Sequence, residues 1–126
     1  EQLPKNISIN YKGTIKKSFV NQTFSKYHFS FMPSKGENFG HSILESFMSG
    51  TPVITSSNTP WKELEQMNVG WDIDLNNSRQ FVSVINYCSN LSQEKYDEMS
   101  KNAFVFAKEF SNNPELIEKT KMLFYE

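Results

Sequence analysis

Apolar and polar positions along the chain change period several times, and each change marks an element. Residues 7–11 alternate, with Ile7, Ile9 and Tyr11 on one side, which predicts a strand that ends before Gly13. Residues 18–26 carry Phe19, Val20 and Phe24 at helical spacing and predict a short helix. Residues 27–32 alternate again: Tyr27, Phe29 and Phe31 share one face of a strand, His28 and Ser30 the other, and Pro33 stops it. After Gly40, the positions Ile43, Leu44, Phe47 and Met48 form an apolar stripe on a helix, and Gly50 is placed to end it in the left-handed conformation. Residues 52–55 read as a short buried strand.

Thr59 and Pro60 have the chemistry of an N-cap and a first helical residue, so a helix with Trp61 and Leu64 as its packing residues is expected there. A further strand is predicted at 70–75. Asn76, Asn77 and Ser78 then make a turn and cap. Phe81, Val84, Ile85 and Cys88 line one face of the next helix. Ser92 opens another, with Tyr96, Met99, Ala103, Phe106 and Phe110 at steps of three and four. Asn113 and Pro114 cap a last helix packed through Leu116, Ile117, Leu123 and Phe124. Strand and helix alternating through short links predict an α/β fold with a parallel sheet.

The most informative stretch is Glu37-Asn38-Phe39-Gly40-His41-Ser42-Ile43-Leu44-Glu45. A strand that passes through a glycine-containing loop into a helix aims backbone N–H groups and the positive helix end at one point, which suits a phosphate. The flanking carboxylates Glu37 and Glu45 can only accept hydrogen bonds when ionised, which suits hydroxyl groups. A nucleotide-sugar carries both. Taken singly, Glu37 and Glu45 are also compatible with solvated surface carboxylates, and His41 with a polar neighbour of Glu45 one turn on.

Composition narrows the picture. At 126 residues the chain is one domain, and its 11 Phe build a core of large rings. A net charge of −1 offers no electrostatic footprint for nucleic acid. The single Cys88 leaves no internal disulfide and fits a reducing compartment, and Cys88 itself reads as a core residue. Two His are too few for a metal site of their own. No run approaches the length of a membrane span. The N-terminus has no apolar signal region and no initiator Met, so the chain reads as a piece of a longer protein.

Met32-Pro33-Ser34, Glu37-x-Phe39-Gly40, Glu45, Ser49-Gly50-Thr51-Pro52-Val53-Ile54-Thr55 and Glu63 stand in an order and spacing that resemble the C-terminal, donor-binding domain of retaining GT-B glycosyltransferases, the group 1 family. The resemblance implies a Rossmann-like parallel sheet of about four strands flanked by helices, the latter part of a GT-B C-terminal domain. Residues 1–126 would then be a single, partial nucleotide-sugar-binding domain. It also implies roles. Glu37 would act at the donor sugar as the catalytic carboxylate. Phe39, Gly40 and His41 would shape the sugar pocket, and the N–H groups near His41 and Ser42 would hold the β-phosphate. Glu45 would accept from the ribose hydroxyls, and Gly13, Thr14 and Ile15 would lie near the nucleobase. Transfer would proceed with retention, without a metal or other cofactor, to a glycan or lipid-linked acceptor. The family's acceptor-binding N-terminal domain is the implied partner. A cytoplasmic location, peripheral at the inner face of a membrane through parts outside this chain, is implied in the same way.

Two departures stand out. Asn38 occupies a position where the family carries Gly, and the family's diphosphate-binding Arg and Lys have no counterpart upstream of Leu3. The fragment alone is therefore expected to be inactive. Without the family's first strand, residues 27–32 would sit at an open edge, so that either residues 7–11 move in beside them or two chains pair there as a homodimer. Two other functions share the pattern: a non-catalytic Rossmann-like binding or regulatory module, and another nucleotide-sugar enzyme such as an epimerase.

Overall fold

The structure is a computed structural model and describes residues 3–36, 39–115 and 118. Three parallel strands, β1 (Ser30–Met32), β2 (Val53–Ser56) and β3 (Gly70–Ile73), form one sheet in the order β1-β2-β3. The register places Ser30 against Val53 and Val53 against Gly70. Helices α1 (Val20–Phe24), α2 (His41–Met48), α3 (Ser78–Ser89) and α4 (Gln93–Ser111) surround it, with a 3₁₀ turn at Lys17–Phe19 leading into α1. All four residues of β2 are buried, as expected for the central strand of a parallel sheet covered on both faces.

Alternation along the strands splits the core in two. On one face Val53 joins Phe39, Ile43 and Phe47 of the α2 region, Trp61, Leu64 and Val69 of the β2–β3 connection, and Ala103, Ala107 and Phe110 of α4. On the other, Ile54, Trp71 and Ile73 meet Val84 of α3 and Met99 of α4, with Phe29, Phe81, Cys88 and Leu91 packed at the rim. Helix α2 ends as its sequence predicts. Gly50 has φ +71, Thr51 N–H donates to the Ser46 carbonyl at 2.9 Å, and Gly50 N–H donates to the Phe47 carbonyl at 2.9 Å, a Schellman closure. Asn77 and Ser92 cap α3 and α4 with their side chains, accepting from Gln80 N–H and Lys95 N–H.

The expected α/β fold with a parallel sheet is found, with three strands among the described residues where about four were expected. Three expectations are corrected. Residues 7–11 form no strand: Ile9 and Tyr11 are 76% and 94% exposed, and their alternation has no surface to bury against. They do not move in beside β1, and β1 itself is limited to three residues at the sheet edge. Residues 59–69 form turns rather than a helix. Thr59 does accept from Trp61 N–H at 3.2 Å, the bond an N-cap makes. Propagation stops because Glu63 takes a left-handed φ of 57° and Asp72 Oδ1 accepts Leu64 N–H at 3.0 Å. On α3, Ile85 lies 46% exposed instead of joining the core face. Glu37, Asn38 and most of the last predicted helix, with Leu116, Ile117, Leu123 and Phe124, lie outside the described residues.

Candidate functional site

Helix α2 begins at the carboxyl end of β1, where ligands settle in open parallel sheets. Gly40 is its N-cap with φ +76 and ψ +55, and no side chain caps the first turn. A Cβ at Gly40 would lie 2.9 Å from Trp61 Nε1 and 3.3 Å from Ile43 Cδ1, so both the left-handed backbone and the lack of space require glycine. The helix's own ladder starts when Ile43 N–H and Leu44 N–H donate to the Gly40 carbonyl at 3.0 and 3.3 Å. The amides of His41 and Ser42 therefore precede it, on two residues exposed to solvent. The first turn of α2 itself contains no acidic residue. Glu45, half-buried, stands one turn further on.

Phe39 anchors the loop that enters this helix. Its ring is buried and lies against Trp61 (5.8 Å between centroids), Phe110 (6.0 Å) and the His41 ring (4.7 Å). Residues of the neighbouring strand end tie the same loop down. Thr55 Oγ1 donates to the Met32 carbonyl at 2.8 Å, Ser56 Oγ donates to the Ser34 carbonyl, and Trp61 Nε1–H donates to the Phe39 carbonyl at 2.7 Å. Ser34 closes a local turn by accepting Gly36 N–H at 3.2 Å.

The structure thus brings Phe39, Gly40, His41, Ser42 and Glu45 together on one loop and helix start. Gly13, Thr14 and Ile15 sit on an exposed segment before the 3₁₀ turn, where a Cβ at Gly13 would meet no atom within 4 Å. Glu37 falls outside the described residues. Thr55, Ser56 and Trp61, which brace the loop, carry no site signal in the sequence. In the sequence Trp61 is a packing residue, and its hydrogen bond is to a carbonyl 22 positions away.

Two hollows of about 440 and 430 Å³ lie on the α3 side of the sheet. The first is lined by residues including Trp71, Gln80 and Tyr87, the second by residues including Phe29, Cys88 and Tyr96, and neither includes a residue of the α2 mouth. Burial pushes the Cys88 thiol up to about 11 and also raises the Tyr96 phenol, so both hold their protons near neutral pH. Among the described residues no group of three or more His, Cys, Asp and Glu could hold a metal ion, and no helix is long and apolar enough to cross a membrane.

A family model described as group 1 glycosyl transferases matches residues 1–106 of the 126-residue chain. No curated protein and no solved structure matches.

Proposed function

Because the chain belongs to the group 1 glycosyl transferase family, we propose that it forms the donor-binding part of a retaining glycosyltransferase that uses a nucleotide-diphosphate sugar. The observation that carries this reading is the start of α2: a left-handed Gly40, two exposed residues whose amides precede the helical ladder, and Glu45 one turn on, all at the carboxyl end of a parallel strand. Amides at a helix N-terminus favour phosphate oxygens, so His41 and Ser42 hold the β-phosphate. Glu45 accepts from the ribose hydroxyls and Glu37 from hydroxyls of the transferred sugar, acting there as the catalytic carboxylate. Gly13, Thr14 and Ile15 face the nucleobase, and Phe39 and Gly40 shape the sugar pocket through the backbone.

In the transfer, the bond from the sugar's anomeric carbon to the β-phosphate oxygen breaks. The acceptor hydroxyl bonds to that carbon on the same face, and its proton passes to the departing phosphate. The reading needs no metal. The glycan or lipid-linked acceptor is held by a separate N-terminal domain, and the reaction takes place in the cytoplasm, peripheral at the inner membrane face through parts outside this chain.

Titration of the full-length protein with UDP, GDP, ADP and their sugars tests this. Glu45→Ala is expected to weaken every ribose nucleotide by about 1–3 kcal/mol through the lost hydroxyl contacts. Glu37→Ala is expected to change the ranking among sugars while leaving the free nucleoside diphosphates unaffected. Binding that neither substitution alters overturns the assignment.

A further inference from the structure

We propose that Trp61 is a positioning residue for the donor phosphate, acting through the Phe39–Gly40 peptide. This rests on the reading of the α2 mouth as the phosphate cradle. The indole N–H donates to the Phe39 carbonyl at 2.7 Å, and both residues are buried. Among the described residues every peptide bond is trans. In a trans peptide the carbonyl oxygen and the following N–H point in opposite directions. Holding the Phe39 oxygen on the indole therefore directs Gly40 N–H away from Trp61. The left-handed Gly40 then sets the next amide, that of His41, beside it. Successive amides around a left-handed residue form a concavity that binds anions.

The indole is itself held firmly. Its ring packs on Phe47 at 5.8 Å, Phe106 at 6.0 Å and Phe110 at 4.9 Å, and its backbone N–H is taken by Thr59 Oγ1. Trp61 lies in the irregular course of residues 59–69, in which Glu63 takes φ +57. Trp61 also explains the glycine: its Nε1 and Cδ1 occupy the space, at 2.9 and 3.1 Å, that a Cβ at position 40 would enter. One side chain thus orients the amide preceding the helix and restricts the residue that caps it.

Trp61→Phe keeps an aromatic ring and removes the N–H. In the full-length protein, affinity for nucleotide-sugars is expected to fall about three- to tenfold, the scale of one buried hydrogen bond. The donor KM rises while the acceptor KM stays at the wild-type value, and hydrogen exchange speeds up at residues 39–44 but not in β2 or α4. A core role alone would lower the folded fraction and leave the donor KM unchanged. An unchanged donor KM with unchanged exchange at residues 39–44 overturns the proposal and leaves the proposed function standing. A wild-type protein that binds none of the UDP, GDP and ADP sugars overturns the proposed function and the donor role of Trp61 together. Should Trp61→Phe fail to fold, the wild-type protein decides by NMR. The Trp61 indole N–H resonance is expected to shift on saturation with the donor while that of Trp71 does not, and no shift at Trp61 overturns the proposal.

Discussion

At the scale of single residues, this chain shows how much depends on groups that are chemically ordinary. Glu37, His41, Ser42 and Glu45 could be recognised as candidates because their types and spacing suit phosphate and hydroxyl chemistry. Gly40 could be recognised as a turn residue, but the reason no other residue fits it is a tryptophan 21 positions later. Cys88, on the apolar face of α3, packs at the rim of the second cluster. Its raised pKa makes a prediction with a definite sign. The unfolded thiol ionises near 9.0 and the folded one near 11, so the folded state binds more protons between these values. The contribution of Cys88 to stability is present below about pH 9 and is lost as pH rises through about 11. Alkylation of the native protein at pH 9 is accordingly expected to be slower than that of the denatured chain by on the order of tenfold or more, as followed by mass spectrometry. Equal rates would show that the thiol is open to solvent.

Among the elements, local signals succeeded where a cap and an apolar stripe agreed. Asn77 caps α3, Ser92 caps α4, and Gly50 closes the end of α2, each with the hydrogen bond its cap chemistry calls for. They failed at Thr59-Pro60. The cap bond forms there, yet the indole bond to Phe39, the Asp72 bond to Leu64 and the left-handed Glu63 draw the chain into turns. The join between α2 and β1 is made by polar groups: Ser46 Oγ donates to the Thr51 carbonyl at 2.8 Å and shares a 2.6 Å hydrogen bond with Ser30 Oγ. Both serines are buried. Ser46→Ala leaves the Ser30 hydroxyl and the Thr51 carbonyl without this partner and is expected to destabilise the fold by about 1–3 kcal/mol in urea unfolding. Ser30→Ala combined with Ser46→Ala is expected to cost less than the sum of the two single changes, since both remove the same bond.

For the whole molecule, the open side of β1 is the outstanding feature. Ser30 N–H donates to Pro52 on the β2 side, so alternation turns the backbone groups of Phe31 toward the opposite edge, and its side chain is 54% exposed. Among the described residues no strand pairs there. An unpaired edge with an exposed aromatic favours association with a second strand. Sedimentation velocity is expected to show concentration-dependent self-association of the chain, and Phe31→Lys is expected to reduce it by placing a charge on that edge. A monomer at all concentrations would refute this expectation.

Two levels of the protein could be read from the residues alone: the α/β class, and the caps of α3 and α4 together with the stop of α2. Each depends on contacts within a few positions, or on a periodicity that adjacent side chains declare. The tertiary structure decided the rest. It chose turns over a helix at residues 59–69, left residues 7–11 without a partner, and set Trp61 against the Phe39 carbonyl. These outcomes depend on which groups from distant parts of the chain compete for the same hydrogen bonds and the same buried space. Local propensity does not record that competition.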